Sequence, residues 1–362
     1  MKHLYFLLLI LTIVISMMVN GCRPPDLEGA IVHFKAGRDD QAYELATKAA
    51  KENPDNPEAW YYLGQIQGKL GMIEDMVTSF DKSANLANTY QKDIDQAKQS
   101  YFGKFYNDGV TAYNNYIKIQ DRESEDAKKQ LNNVIENFKK ALIIQNDFMA
   151  NRLIAISYQN MGDEDNNLKY LIAAKDAAPD TVLSWIDLGY YYSRKKEYDK
   201  AAEQFKKGIE IEPDNVECLT LYAQNLDFAD RKDEAIAAYK EAIKRNPEEK
   251  AIPFNLGLLL NKEANSVEDD DAKKKELMSE AVIYFRKAYE IDPELKDTYD
   301  ILSTLLLQLE RYEEAEQILN EGVERWPESA SMWQNLSFLH AKMGNKAKAE
   351  EYYEKSKQLK EE

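Results

Sequence analysis

Residues 182–215 read VLSWIDLGYYYSRKKEYDKAAEQFKKGIEIEPDN. Small residues, Gly189 and Gly208, stand at positions 8 and 27 of this 34-residue segment, and a ring, Phe205, stands at position 24. Small residues let two helix axes cross closely, and a ring beside them fills the remaining space. Pro213, at position 32, ends a helix because it lacks an N–H and clashes with the preceding turn. The segment therefore predicts two antiparallel helices of about 14 residues each.

The same 34-residue frame extends over the rest of the chain. Pro179, Pro213 and Pro247 lie 34 residues apart, and Pro293 and Pro327 repeat that spacing. Positions 8 and 27 are small in every repeat, and position 24 is aromatic in six. The third and seventh repeats carry insertions. The nine predicted repeats are 23–56, 57–90, 91–147, 148–181, 182–215, 216–249, 250–295, 296–329 and 330–362.

This pattern resembles the tetratricopeptide repeat over residues 23–362. The family signature occurs nearly whole in the fifth repeat, as Trp185, Leu188, Gly189, Tyr192, Ala201, Phe205, Gly208 and Pro213. The resemblance implies an all-α fold, a right-handed α-solenoid of about nine tetratricopeptide-type helix hairpins, with the solenoid domain spanning 27–362.

The two insertions predict local changes to the hairpins. We expect residues 91–101 to lengthen the first helix of the third repeat and 114–130 to form a charged connection. The seventh repeat should form a longer hairpin around 264–275. Its acidic run, Glu268 to Asp271, suits either calcium or the positive end of the following helix, and we favour the helix start.

The first 22 residues have the pattern of an export signal. After Lys2, residues 4–19 are almost entirely apolar, which suits a signal sequence and is short for a spanning helix. Val19-Asn20-Gly21-Cys22 resembles a bacterial lipoprotein signal, which implies cleavage of residues 1–21 and acylation of Cys22. Residues 22–26 would then form a lipidated tether of at most ~17 Å. The alternative is an uncleaved helical anchor in which Cys22 has no role.

Composition limits the classes of partner that the chain is expected to bind. The chain has 362 residues, a formal net charge of −17, and 64 acidic against 47 basic residues, which disfavours nucleic acid as a partner. Cys218 is the only cysteine besides Cys22, and its apolar surroundings predict a small buried side chain.

Catalytic and metal motifs are incomplete, and we predict no enzyme, no cofactor and no metal site. After cleavage only His33 and His340 would remain, at opposite ends of the array. A calcium-loop start at Asp163 lacks the glycine and the final glutamate that such a loop needs. Ser-x-x-Lys spacings at Ser79 and Ser193 occur without the other elements of penicillin-binding enzymes.

In the family that the chain resembles, the first helix of each hairpin lines a concave groove that binds a peptide or helix. Carrying the family's groove positions over suggests a set that is less acidic than the whole chain, so we expect most of the negative charge on second helices and the outer face. Tyr190 and Arg194, four residues apart, should be exposed and free of helix packing. The predicted groove residues are Tyr61, Tyr62, Gln65, Lys69, Arg152, Gln159, Asn160, Ile186, Asp187, Tyr190, Arg194, Thr220, Leu221, Gln224, Phe228, Phe254, Asn255, Leu258, Asn261 and Lys262.

The leading hypothesis is a non-enzymatic, lipid-anchored scaffold in a bacterial cell envelope, at the outer membrane and facing the periplasm, that binds partner proteins. Outer-membrane assembly, secretin or pilus assembly, and polysaccharide export are the systems in which the resemblance places such proteins. The alternatives are an adaptor or regulator of peptidoglycan enzymes, and an enzyme with its site in the insertion at 114–130.

Overall fold

The computed structural model describes residues 23–361, so the predicted signal peptide and Cys22 lie outside the described residues. Within this range the regular elements are 18 α-helices and one short 3-10 helix, with no strand, which confirms the predicted all-α class. None of these helices combines the length and apolar composition needed to cross a membrane. The chain divides into two compact units, with the boundary between Ala178 and Pro179.

The first unit contains four helix pairs and the second contains five. The helices of the first unit are α1 (Pro25–Lys35), α2 (Asp39–Glu52), α3 (Pro57–Lys69), α4 (Ile73–Leu86), α5 (Gln91–Lys118), α6 (Glu125–Ile144), α7 (Phe148–Asn160) and α8 (Glu164–Ala177), with the 3-10 helix Asn88–Tyr90 before α5. Those of the second unit are α9 (Val182–Arg194), α10 (Tyr198–Ile211), α11 (Val216–Phe228), α12 (Lys232–Arg245), α13 (Ala251–Ser266), α14 (Asp271–Ile291), α15 (Lys296–Gln308), α16 (Tyr312–Arg325), α17 (Ala330–Lys342) and α18 (Lys346–Glu361).

The helices pack as nine consecutive hairpins. Each odd-numbered helix packs against the even-numbered helix that follows it, and within a unit each second helix also contacts the first helix of the next hairpin. This nearest-neighbour stacking is the α-solenoid that the repeats predict.

Each glycine at position 8 makes room for the ring at position 24 of its hairpin. At Gly189 an added Cβ would lie 2.5 Å from the ring of Phe205, which is fully buried. The third hairpin keeps this pairing despite its insertion, since a Cβ on Gly109 would lie 2.9 Å from Phe138. The predicted pairing of small and large residues is therefore confirmed. The same contact occurs between Gly64 and Phe80 and between Gly257 and Phe285.

Three tryptophans form a hydrogen bond to the turn that precedes their hairpin. A ring at position 4 donates its Nε1–H to the carbonyl of the proline six residues earlier, at 2.8 Å each time. Such a bond satisfies a carbonyl at the turn and fixes the approach of the next helix. The pairs are Trp60 with Pro54, Trp185 with Pro179, and Trp333 with Pro327.

The third hairpin differs from the sequence expectation. Helix α5 continues to Lys118 and α6 begins at Glu125, so the connection is residues 119–124 rather than 114–130. Tyr116, Ala127 and Leu131 are buried together, and this small apolar cluster holds the two helix ends against each other. The insertion therefore lengthens both helices and leaves a short turn.

The seventh hairpin is longer, as expected, and α14 begins inside the acidic run. Asp270 is the N-cap of α14, and its Oδ1 accepts the Lys273 N–H at 2.8 Å. At the other end of the chain, α1 begins at Pro25, two residues before the predicted start at Leu27. The tether expected at 22–26 is correspondingly shorter.

Candidate partner-binding face

In the first unit, Tyr90 covers one of the predicted groove residues of α3, Tyr61. The ring of Tyr61 stacks on Tyr90 at 4.5 Å between centroids, and Gln65 Nε2 donates to the Tyr61 hydroxyl at 3.2 Å. Burial raises the pKa of Tyr61. Tyr62 packs edge-on against Tyr61 and belongs to the apolar core of the first two hairpins. The 3-10 helix before α5 thus occupies space that the repeat frame leaves to a partner.

The remaining predicted residues of the first unit do not form one surface. Lys69 is exposed, but its Nζ lies 2.8 Å from Asp39 Oδ1 and 5.4 Å from the centroid of Phe34. Arg152 is half-buried, and Gln159 and Asn160 are exposed at the end of α7.

In the second unit, Tyr190 is exposed but also supports the packing of helices. Its hydroxyl donates to Glu217 Oε1 at 2.7 Å, and its ring meets Phe205 edge-on at 5.8 Å. Burial, followed by the bond to Glu217, raises the pKa of Tyr190 to about 12. The expectation that Tyr190 takes no part in packing is therefore wrong, because this side chain links α9 to α10 and α11.

The other predicted residues of α9 differ in their access to solvent. Asp187 is half-buried, and Arg194 is exposed with its guanidinium 6.0 Å from the ring of Tyr191. Ile186 is only 4% exposed, so its placement in the groove was wrong.

A shallow cleft of about 230 Å³ between α11 and α13 brings several predicted residues together. We call it the first cleft. Phe228 is 56% exposed and Leu258 is 39% exposed, so both side chains present apolar surface to solvent in the cleft. Lys262 Nζ pairs with Asp227 Oδ1 at 2.9 Å, so the charges in the cleft are balanced. The first cleft is lined by Gln224, Asp227, Phe228, Tyr239, Asn255, Leu258, Leu259 and Lys262; Asn261, also predicted, is half-buried on α13 and outside this lining.

A second cleft of about 370 Å³ lies between α15 and α17 and was not predicted. Phe338 is 49% exposed, and Lys342 Nζ lies 5.3 Å from the centroid of its ring. Carrying the groove positions into the last two repeats would have found these residues. The second cleft is lined by Thr304, Leu307, Gln308, Glu310, Tyr312, Asn335, Phe338 and Lys342.

The two clefts use the same repeat positions. Each combines positions 9, 12 and 13 of one hairpin with positions 6, 9 and 13 of the next. Position 6 of the later hairpin is Asn255 or Asn335, and position 13 is Lys262 or Lys342. Each cleft thus offers an apolar surface, an amide and an ammonium group, which suits a peptide through side-chain burial and hydrogen bonds.

The negative charge lies elsewhere than expected. The first helices are close to neutral in sum, but the second helices carry only a small part of the negative charge of residues 23–361. Most of it lies in the turns between hairpins, for example at Glu212, Asp214, Asp292 and Glu294. The part of the prediction that placed most of the negative charge on second helices was wrong, because most of these helices largely match their carboxylates with lysines or arginines; α16, with five glutamates and one arginine, is the clearest exception.

The remaining chemical candidates have structural partners. Over residues 23–361, no group of three or more His, Cys, Asp or Glu side chains is placed to hold a metal ion. His340 is buried with its Nε2 3.5 Å from Glu316 Oε1, and His33 Nδ1 accepts Arg38 Nε–H at 2.8 Å. Asp163 caps α8 by accepting the Asn166 N–H at 3.1 Å. Cys218 is buried, and burial raises its pKa to about 12.

Comparison with known families agrees with this geometry. Tetratricopeptide repeat models match residues 45–77, 194–257, 272–295 and 330–362. The chain contains tetratricopeptide repeats. These matches fall in both units and include α11, the start of α13 and the whole of α17.

Curated relatives are similar to the chain over part of their length. A TPR repeat-containing protein of Methanocaldococcus jannaschii is 27% identical over 241 residues, which is 63% of this chain and 39% of that protein. The mouse protein O-mannosyl-transferase TMTC3 is 21% identical over 189 residues, 50% of this chain and 20% of that protein. The chain thus spans well under two thirds of the length of either relative. One of them is a transferase, so the absence of catalysis stays a prediction.

Solved structures with tetratricopeptide repeats also align with the chain. Pseudomonas aeruginosa PilF has a TM-score of 0.42 and 19% identity, covering 59% of this chain and 91% of PilF. YrrB, described as a TPR protein with an unusual peptide-binding site, has a TM-score of 0.41 and 19% identity, covering 58% of this chain and 99% of YrrB.

Proposed function

We propose that this tetratricopeptide protein is a non-enzymatic scaffold whose first and second clefts each bind a peptide or helix of a partner protein. The observation that carries the proposal is the repetition of one cleft design at equivalent positions of the second unit. A single exposed apolar side chain needs no explanation, but Phe228, Leu258 and Phe338 are all exposed on first helices. Aromatic side chains, phenylalanine among them, are enriched at the centres of protein interfaces.

The clefts also suit recognition of a backbone. Asn255 and Asn335 are half-buried and line the clefts, so their amides remain partly accessible to a partner. Asn335 Nδ2 reaches Ser303 and Thr304 only at 3.4 Å, which leaves capacity for a stronger bond. A partner segment would bury an apolar side chain against Phe228 or Phe338 and pair its peptide groups with these amides.

Site-specific photo-crosslinking in cells tests this proposal. A photoreactive amino acid in place of Phe228 or Phe338 should form the same covalent adduct with a partner. Ile283 on α14 is a matched control, since it is apolar and 62% exposed but lies on a second helix outside both clefts. An equal adduct from the Ile283 position, or none from either cleft, would contradict the proposal.

The proposed location is the bacterial cell envelope. There, acylated Cys22 would hold the protein on the outer membrane, facing the periplasm. The support is the sequence of residues 1–22, which ends in Val-Asn-Gly-Cys. Several acyl chains hold a protein on a bilayer far more firmly than one, at ~0.8 kcal/mol per buried methylene. In that setting the clefts would recruit components of outer-membrane assembly, secretin or pilus assembly, or polysaccharide export.

Replacement of the acylated residue tests the address. Cys22→Ala should leave an uncut precursor or a protein released from membranes, and metabolic labelling with a clickable palmitate should mark only the parent protein. Cys218→Ala is the control, because Cys218 is buried and its loss should leave the label in place. A label that persists on Cys22→Ala would exclude acylation at Cys22.

A further inference from the structure

A third pocket, of about 360 Å³, adjoins the second cleft at the end of the seventh hairpin. We call it the lysine pocket. Four of its six lining residues belong to the insertion at 264–275, so a repeat of regular length would lack it. Gln308 lines both the lysine pocket and the second cleft, so the two meet at this side chain. The lysine pocket is lined by Asn265, Asp271, Lys274, Lys275, Met278 and Gln308.

Two lysines of this pocket form no ion pair in the described part of the chain. Lys274 is half-buried and Lys275 is exposed, and Asp271 lines the same pocket but pairs with neither. Lys273, the residue before them, lies outside the pocket and pairs with Glu276 at 3.0 Å. The ammonium groups of Lys274 and Lys275 are therefore available to an anionic group of a partner.

The second cleft contributes a further lysine of this kind. In the first cleft, Asp227 at position 12 of its hairpin pairs with Lys262 at 2.9 Å. The same position in the second cleft is a buried leucine, Leu307, which carries no charge. Lys342 has no ion pair among residues 23–361, and its Nζ lies 5.3 Å from the centroid of Phe338. The two clefts thus differ in charge although they use the same repeat positions.

The charge of the lysine pocket and second cleft together is the reverse of that of the chain. The two carry three lysines against two acids, Asp271 and Glu310, whereas the chain has a formal net charge of −17. The first cleft is neutral, with one lysine and one aspartate. Because opposite charges attract and like charges repel at an interface, the acidic surface elsewhere would repel an acidic segment and this site would attract it.

We propose that the lysine pocket and the second cleft form one site that binds an acidic segment of a partner protein. An apolar side chain of the segment packs against Phe338, and neighbouring carboxylates pair with Lys342, Lys274 and Lys275. The inference rests on the proposed function of the second cleft and adds the chemistry of its partner. It also gives the insertion a role, because Lys274 and Lys275 lie on α14, a second helix, outside the groove positions of the repeat.

Selection from a library of random peptides displayed on phage tests the chemistry of the partner. The full chain, purified in detergent, is the target, and each selected peptide is tested again on Phe338→Ala and on Phe228→Ala. Peptides that need Phe338 should contain aspartate or glutamate beside an apolar residue more often than the unselected library does. Peptides that need Phe228 should show no such excess, because the first cleft is neutral.

Fluorescence anisotropy with one synthetic acidic peptide from this selection then tests the lysines. Lys274→Gln combined with Lys275→Gln should weaken binding roughly tenfold, as expected for the loss of two ion pairs. Changing the acids of the peptide to amides should weaken binding to a similar extent. The two changes together should weaken it little further, since they remove the same contacts. Circular dichroism should show unchanged folding, because surface substitutions have small effects on stability.

Lys273→Gln is the matched control, because it removes the same charge from the neighbouring residue outside the pocket. It should change the affinity by less than about twofold. Phe338-dependent peptides without an excess of acids would overturn the inference and leave the proposed function intact. A loss of affinity in Lys273→Gln equal to that of the pocket variant would also overturn it. If no selected peptide depends on Phe228 or Phe338, the proposed function and this inference both fall.

Discussion

At the scale of single residues, the packing of several hairpins depends on a glycine that lies against a buried ring. Gly189 has no Cβ, and the edge of the fully buried Phe205 ring fills that space. A methyl group there would approach three ring carbons to 2.5–2.9 Å, closer than van der Waals contact allows. The ring cannot yield because the core around it is closely packed.

Gly189→Ala should therefore lower the free energy of unfolding, and Gly103→Ala should raise it. The clash at Gly189 should cost about 1–3 kcal/mol more than the ~1 kcal/mol that alanine gains in a helix. Gly103, inside α5, has no atom within 4 Å of the added Cβ, so only the gain of about 0.5–1 kcal/mol remains. Urea denaturation followed by circular dichroism checks both. Shifts of the same sign would refute the packing account.

At the scale of elements, the extended third hairpin shows how a long insertion is accommodated. The Arg122 guanidinium donates to the carbonyls of Tyr116 and Ile117 at 2.6 and 2.9 Å and lies 4.6 Å from the Tyr116 ring. It closes the C-terminal end of α5, whose last carbonyls have no partner within the helix. These bonds from Arg122 explain why α5 ends at a short turn and not in a long loop.

The crossing of α11 and α12 offers an element-scale prediction. Ala235 is fully buried, whereas Ala237 on the same helix is exposed. Ala235→Leu should overpack the crossing and cost about 1–3 kcal/mol, and Ala237→Leu should change stability by less than about 0.5 kcal/mol. Hydrogen exchange should show faster opening in α9–α14 before other helices, since hairpins contact only their neighbours. Uniform opening of both units would contradict this one-dimensional coupling.

At the scale of the whole molecule, we expect tyrosines with raised pKa values to limit the stability of the fold at alkaline pH. Burial is the first cause that raises the pKa of Tyr190 and of Tyr90 to about 12, and it also raises the pKa of Tyr239 and of Tyr289. These groups keep their protons in the folded chain at pH values where an unfolded tyrosine, with a pKa of 10.0, loses them. Their contribution to stability is thus complete below pH 10 and is lost as pH rises through the folded pKa.

Thermal midpoints should therefore stay nearly constant between about pH 7 and 9 and fall steeply above about pH 10. Tyr239→Phe should flatten this alkaline decline, because it removes one buried group that must ionise while keeping the ring. Melting curves across pH, with tyrosinate absorbance recorded in parallel, measure both effects. A steady decline from pH 7 onward, or ionisation of all tyrosines before unfolding, would contradict this account.

The 34-residue repeat made the fold predictable from the sequence. Small residues, rings and prolines at fixed positions leave few ways to pack a helix pair, so the hairpins and their order follow from residues close in sequence. The first cleft was largely predicted for the same reason, since Gln224, Phe228, Asn255, Leu258 and Lys262 occupy groove positions of regular repeats.

Access to those positions was not predictable, because burial depends on residues distant in sequence. Tyr61 occupies a predicted groove position of its repeat, but Tyr90 stacks on it across 29 residues of chain. Tyr190 was predicted to be free of helix packing, but in the structure its hydroxyl donates to Glu217 Oε1 at 2.7 Å. Arg23 was predicted to lie in the tether, yet packing of α1 beside α3 places Glu58 where it binds the guanidinium. Local pattern specifies which way a side chain points along its helix, and only packing specifies what it meets there.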